Sequence, residues 1–383
     1  MEMVYVDHAA TSPMHPEVLE AMLPYFSASY GNPSSIHQAG RQARQAIDQA
    51  RRSIAKQLGV DEQTLIFTSG GTEADNLAII GYASENENKG KHIITSVVEH
   101  HAVLHACQEL EKRGFEVTYI PVDQSGLIDV QEVQKALRDD TILVTLMFGN
   151  NEIGTVQPIT EIGNMLLEHQ AVFHTDAVQA CGAVEINLSD LPVDMLSISA
   201  HKINGPKGIG LLYTRQKLRP LLFGGEQERK RRAGTENVAS IVGFAKALEI
   251  AEMTMNERRA KYQEFSLLLL DELLKNDVTF LVNGHQEKRL PHILNISFPG
   301  VNVESMLMNL DLEGIAASSG SACTAGSIEP SHVLVAMFGG EDERVFSAIR
   351  FSFGLNNTED QIKYVAEKTI AIVKRLQNQQ QFI

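Results

Sequence analysis

Apolar residues recur at helical spacing early in the chain, at Ile36, Ala39, Ala43, Ile47, Ala50, Ile54 and Leu58, and the pattern stops at Gly59. That stripe predicts one long amphipathic helix whose job is packing, ended by a glycine. From about residue 64 the pattern changes. Short β-rich runs, "TLIFTS", "KHIITSV", "EVTYIPV", "TILVTLMF", "AVFHTD", "DMLSISA" and "GIGLLYT", alternate with helical stretches. Such alternation predicts an α/β fold with a mainly parallel seven-stranded sheet covered by helices on both faces. After about residue 255 the pattern shifts again, to an apolar helix "EFSLLLLDELLKN", strand candidates "HILNISFPG", "GIAASS" and "AIRFSFG", and a last helix from "EDQIKYVAEK". This segment reads as a smaller α/β domain, with "QNQQQFI" as a frayed end.

Composition narrows the function. The chain has 383 residues, 43% apolar and 21% charged, with a formal charge of -15. These are values of a globular protein. The acidic balance argues against direct nucleic-acid binding, although "ERKRRAG" is a local basic loop. No basic leader precedes an apolar run at the start and no stretch reaches the length of a membrane helix, so a cytoplasmic protein with no membrane partner is expected. Three cysteines, at 107, 181 and 323, are too few and too scattered for a disulfide framework or a structural zinc site, and no metal is expected.

Ligands of open α/β sheets sit at the carboxyl ends of the strands, so the residues at the end of each run are the first candidates for chemistry. "LIFT" is followed by Ser69-Gly70-Gly71-Thr72-Glu73, "IITS" by Glu99-His100-His101, "TLMF" by Gly149-Asn150-Asn151, "AVFH" by Thr175-Asp176 and "SISA" by His201-Lys202. Each has an ordinary structural explanation. The glycines can form a helix start, His100 and Asp176 can cap helices, and Lys202 can be a surface charge. Together they meet the needs of pyridoxal 5'-phosphate. A glycine-rich helix start offers N–H groups to a phosphate, an aspartate keeps the pyridine nitrogen protonated, a histidine covers the ring and relays protons, and a lysine forms the Schiff base.

These motifs, "YVDHAATSPMHPEV", "GNPSSIH", "FTSGGTEADNLAI", "FGNNEIGTVQPI", "HTDAVQ", "SISAHKINGPKG", "RRAGTENV", "SSGSACTAG" and "IRFSFG", resemble those of the cysteine desulfurases of the NifS/IscS type, from Tyr5 to about Gly354. The resemblance implies a fold type I enzyme of the class V aminotransferase kind, with a large cofactor-binding domain at 15–255 and a small domain from 1–14 and 256–383. It makes Lys202 the Schiff-base lysine, Asp176 the partner of the pyridine nitrogen and His100 the histidine over the ring. Gly71, Thr72, Ser199 and His201 become phosphate ligands, Asn151 and Gln179 contact the ring oxygen and orient substrate, and Arg350 holds the substrate carboxylate. Thr235 would reach the cofactor of a neighbouring subunit, which implies a homodimer.

Cys323 carries the reaction in this resemblance. It lies in the cysteine loop, about 318–330, whose long form is similar to that of the mobile-loop subgroup. L-cysteine would become L-alanine, leaving a persulfide on Cys323 for an acceptor protein, either an iron-sulfur scaffold or a tRNA thiolation enzyme. Cys107 and Cys181 fit buried filler positions. The chain departs from the resemblance at Lys230, where relatives often carry glycine. A cysteine or selenocysteine lyase, or an aminotransferase, on the same scaffold is the competing reading, and Cys323 argues against it. A noncatalytic iron-sulfur scaffold would need clustered cysteine ligands, which the spacing does not offer.

Overall fold

In the computed structural model, which describes residues 3–319 and 330–380, the strands are β1 (Val4–Tyr5), β2 (Leu65–Thr68), β3 (His92–Ser96), β4 (Glu116–Ile120), β5 (Thr141–Met147), β6 (Val172–Asp176), β7 (Met195–Ser199), β8 (Gly210–Thr214), β9 (Leu281–Asn283), β10 (Ile293–Ser297), β11 (Ile315–Ala316) and β12 (Ala348–Ser352). The principal helices are α1 (Gln38–Leu58), α2 (Gly71–Asn76), α3 (His101–Lys112), α4 (Val238–Met253), α5 (Met255–Lys275), α6 (Val303–Leu312), α7 (His332–Phe338) and α8 (Glu359–Gln380).

The seven expected strands make one sheet in the order β2-β8-β7-β6-β5-β3-β4. Strand β8 runs antiparallel to both β2 and β7, and the other pairings are parallel. All six strands other than β8 therefore end on one edge. Side chains alternate between the faces, as the two-residue period requires. Leu65, Phe67, Val144, Leu196, Leu211 and Tyr213 face a core shared with α1 and α4, while Ile66, Leu143, Met195 and Leu212 face a second core under α2 and α3. Both faces are covered, which is why these strands read as continuous apolar runs.

The stripe of α1 is shorter than its sequence pattern. His37 caps the helix by accepting from the Gly40 N–H, so Ile36 lies outside it and is 91% exposed. Gly59 closes the helix with a left-handed φ of 69°, a conformation glycine adopts without strain. At the other end of the chain the glutamines do not fray at 377. Helix α8 continues to Gln380, and the Gln377 side chain donates to the Pro299 carbonyl at 2.9 Å.

A separate core surrounds the antiparallel sheet β12-β10-β9, with Leu294, Ile296, Phe351 and Phe353 packed against Phe265 and Leu269 of α5, Met306 of α6 and Ile362 and Val365 of α8. Strand β1 joins this half by pairing in parallel with β11.

The β2 edge of the main sheet is sealed by side chains. Phe67 N–H donates to Glu228 Oε2 at 3.0 Å, while Leu65 C=O accepts from Arg51 at 2.9 Å and Arg231 at 3.0 Å. Unpaired edge groups are thus satisfied and hidden. The loop that supplies Glu228 takes an unusual path for this purpose: Glu228, Arg229 and Lys230 have φ of 46°, 57° and 67°, three left-handed residues in succession without a glycine. Lys230, where the chain departs from the family pattern, occupies the third of them.

Candidate functional site

The strand ends and the small sheet enclose a cleft of roughly 390 Å³. Gly71, Thr72, His100, Asn151, Asp176, Gln179, Ser199, His201, Lys202 and Arg350 all line it. Thr235 does not; it sits exposed on the loop before α4. Cys323 lies outside the described residues.

Local geometry explains each placement. Strand β2 runs into Gly70 and α2, which continues through a π-helical turn at Leu77–Gly81 into Tyr82–Asn86. Among the described residues no side chain caps this helix start, so its first N–H groups are open to a ligand. Glycines let the backbone come close here. A Cβ on Gly210 would lie 2.5 Å from the Gly70 carbonyl carbon, and one on Gly71 would lie 2.7 Å from Val178 Cγ2. Thr72, Ser199 and His201 add polar side chains at the same end.

Lys202 closes a short 3-10 turn after β7, held by the Asn204 and Gly-Pro segment. Asn204 has a left-handed φ of 63° and its amide donates to the Pro13 carbonyl at 2.9 Å. The Lys202 amine donates to the Ala9 carbonyl and, at 2.9 Å, to that of Ala10. Burial, together with the nearby Arg350 charge, lowers its pKa to about 8, against the opposing pull of Asp176 and Asp7. A free amine is therefore accessible near neutral pH.

Asp176 ends β6 and accepts from the Val178 N–H at 2.8 Å. Its pKa is pushed up to about 6 by burial, with the Val178 N–H and Lys202 holding it from going further. His100 serves two purposes. Its Nδ1 accepts from the Ala102 N–H at 3.1 Å, so it does cap α3. Burial and then the Lys202 charge lower its pKa to about 4, so the ring is neutral with its proton on Nε2.

Arg350 arrives from the middle of β12. Its guanidinium donates to the Asn151 carbonyl at 2.9 Å and to Asp7 Oδ1 at 2.7 Å, while the buried Nε has no partner among the described residues. Its backbone exchanges hydrogen bonds with Ser318, so the chain leading to Cys323 departs from beside this arginine. On the far side, Ser331 donates to Glu152, and His332 Nε2 donates to the Glu99 carbonyl at 2.9 Å.

Several participants were missed in the sequence. Asp7 follows the apolar "VYV", the same strand-end signal that singled out Asp176. Asp75 stands four residues after Gly71 and so shares its helix face. It lines the cleft with Oδ1 buried and without a hydrogen-bond partner among the described residues, 3.8 Å from His174 Nε2. Burial, then Asp176, raises its pKa well above the carboxylate range. Glu99, which accepts from Ser96 Oγ at 2.6 Å and the Met147 N–H at 3.0 Å, is raised to about 8, chiefly by burial. Burial thus favours the protonated form of both of these carboxyls. Cys107 and Cys181 are free and buried, with burial raising each thiol to about 12, which suits their reading as inert filler.

This donor set suits pyridoxal phosphate: hydroxyls and N–H groups for a phosphate, a carboxylate for the ring nitrogen and an accessible amine all line one cleft. Among the described residues no helix is long and apolar enough to cross a membrane, and no cluster of His, Cys, Asp and Glu is placed to hold a metal.

Residues 4–365 match the Aminotransferase class-V family. A protein of Bacillus subtilis (strain 168) that bears the name IscS 1 is 58% identical over 98% of this chain and 100% of its own length. The "Cysteine desulfurase IscS" of Methanosarcina thermophila is 51% identical over 98% of this chain and 93% of its own. Among solved structures, a "NifS-like protein" superposes with a TM-score of 0.91 at 36% identity, covering 97% of this chain and 99% of that one. The sheet order and the reversed strand are thus those of fold type I, and its cofactor is pyridoxal phosphate. With the match running through nearly the whole chain, from β1 into α8, this protein belongs to the class V aminotransferase family, among its cysteine desulfurases.

Proposed function

We propose that this chain converts L-cysteine to L-alanine and carries the sulfur as a persulfide on Cys323. The observation that supports this most directly is the convergence of the Lys202 amine, the Asp176 carboxylate, the neutral His100 ring and the buried Arg350 on one cleft, beside the backbone from which the Cys323 segment departs.

When bound, pyridoxal phosphate supplies an aldehyde that takes the cysteine amine and a ring that draws charge from its Cα. Gly71, Thr72, Ser199 and His201 hold the phosphate. Asp176 holds the ring-nitrogen proton, and Asn151 and Gln179 orient the ring oxygen and substrate. Arg350 takes the substrate carboxylate, a planar fork meeting a planar acid. Lys202 removes the Cα proton. The Cys323 thiolate attacks the substrate sulfur, so that an S–S bond forms while the Cβ–S bond breaks with its electron pair on carbon. Protons from Lys202 and His100 Nε2 complete alanine.

The persulfide then passes to an acceptor protein by thiol exchange, an iron-sulfur scaffold first, in keeping with the names of the relatives, or a tRNA thiolation enzyme. The protein works in the cytoplasm as a homodimer. Thr235, exposed and outside its own cleft, completes the neighbour's site, and the exposed apolar side chains Phe26, Tyr30, Ile36 and Phe223 give the contact an apolar surface. Separate main cores support a large domain at 15–255 and a small one from 1–14 with 256–383.

The test is alanine release from L-cysteine by the wild type and Cys323→Ala, with the visible spectrum recorded. A yellow variant that makes no alanine supports the proposal. A yellow variant that still consumes cysteine, giving pyruvate and sulfide, makes the chain a lyase instead.

A further inference from the structure

A carboxylate stands next to Thr72, just outside the lining of the cleft at its Gly71 end. Glu73 lies in the first turn of α2, two residues after Gly71, and its Oε2 accepts from the Ser69 N–H at 2.8 Å. Burial pushes its pKa up, but hydrogen bonds from Arg232 and Ser69 outweigh this and hold it below the usual range. It is therefore a negative charge just outside the cleft, in the same helical turn as Gly71 and Thr72, which line the end where a phosphate dianion would sit. Charges of one sign so placed repel each other, and the partly buried setting screens them weakly.

Arg232 answers that charge. Its Nε meets Glu73 Oε1 at 2.8 Å and its Nη2 meets Oε2 at 3.2 Å, a two-point pair with side chains only 23% and 17% exposed. The loop that presents Arg232 is held at two other points: Glu228 by Arg51 and Phe67, and Glu236 by Arg44. These ties sustain the three left-handed residues before it. Strain kept in place by so many contacts points to a position that matters for function.

We propose that Arg232 is a positioning residue for the cofactor phosphate: by pairing with Glu73 it cancels a charge that would otherwise expel the phosphate from the Gly71 end of the cleft. The inference rests on the reading of Gly71, Thr72, Ser199 and His201 as phosphate ligands. It predicts a charge rescue. An ordinary loop anchor would lose its tie in Glu73→Gln as much as in Arg232→Gln, whereas a charge-cancelling pair responds oppositely to the two changes.

The experiment is the dissociation constant of pyridoxal phosphate, followed by loss of the visible band on dilution or dialysis of the holoenzyme. Arg232→Gln should weaken retention by between about threefold and about thirtyfold, Glu73→Gln should leave it equal or tighter, and Arg232→Gln with Glu73→Gln should return it to within about twofold of the wild type. Arg232→Lys, which keeps the charge without the fork, should stay within about threefold and serves if Arg232→Gln folds poorly. A double variant as weak as Arg232→Gln, or a Glu73→Gln variant weakened like it, overturns the proposal. Thr72→Ala separates the two readings. If it weakens retention while Arg232→Gln does not, only the role of Arg232 falls; if neither does, the phosphate end itself is misplaced.

Discussion

The seal on the β2 edge makes a quantitative prediction. Arg51 Nη2 and Glu228 Oε1 are 2.5 Å apart with side chains 5% and 2% exposed, and the guanidinium lies 4.6 Å from the centroid of the Phe67 ring. Glu228→Gln leaves an acceptor for the Phe67 N–H but strands a buried cation, and Arg51→Met strands a buried carboxylate. Removing one partner of a buried pair costs about 3–5 kcal/mol, because the remaining charge keeps its desolvation penalty without compensation. The double variant strands neither member of the pair, and Arg231 loses the attraction of Glu228 together with the repulsion of Arg51. Arg231 still donates to Leu65 C=O and the new amide still accepts from Phe67, so its cost should be about 1–2 kcal/mol, mainly for imperfect packing. Urea unfolding at fixed subunit and cofactor concentration measures all three. The double variant should be more stable than either single one by about 2 kcal/mol. A double variant whose loss equals the sum of the singles would refute the reasoning, since the two groups would then act independently.

Three further outcomes are expected. Capture of pyridoxal phosphate by the cofactor-free protein uses the unprotonated Lys202 amine, whose pKa is lowered to about 8 by burial and Arg350. The capture rate should therefore rise with pH up to about 8 and then level off, and a rise continuing toward 10.5 contradicts the burial argument. Burial, and then Asp176, push the Asp75 pKa up, which favours its neutral form. Asp75→Asn, which matches that neutral form in shape, should change thermal stability by less than about 1 kcal/mol, and a loss of several kcal/mol would mean that the native carboxyl is ionised. Gly71→Ala forces its methyl to 2.7 Å from Val178 Cγ2. It should destabilise by about 1–3 kcal/mol and loosen the cofactor, read from the unfolding midpoint and the visible band.

The strand-end rule found most of the cleft because its residues come directly after their strands. Lys202, Asp176, His100 and Asn151 each needed only a strand and a direction. Direction was the weak point for β8. An apolar run looks the same whichever way it is traversed, so "GIGLLYT" announced a strand but not its reversal. Arg350 stands inside a strand, and only the family resemblance marked it. Asp7 carried the strand-end signal after "VYV", but not its role, because its partner Arg350 is 343 residues away. Asp75 and Glu99 were illegible for another reason: a carboxyl announces charge in a sequence, and only burial shows that its neutral form is favoured. Nor could the left-handed turn at Glu228 to Lys230 be foreseen, since its conformation is imposed by ion pairs with α1 and not by its own residue types.

The N-terminal residues have a consequence for how the protein is made. The Ala9 and Ala10 carbonyls hold Lys202, Asp7 holds Arg350, Val4 N–H donates to Gly314, and Ser352 N–H donates to Val6. Residues 4–10 thus take their places only after residue 352 has emerged. At usual synthesis speeds of about 5–20 residues per second that is a delay of roughly 20–70 s. The main sheet can form within that interval, but the wall of the cleft carrying Arg350 cannot. Cofactor loading in its final geometry is accordingly an event of the finished chain, and a nascent chain stalled before residue 350 would hold the lysine but not the arginine.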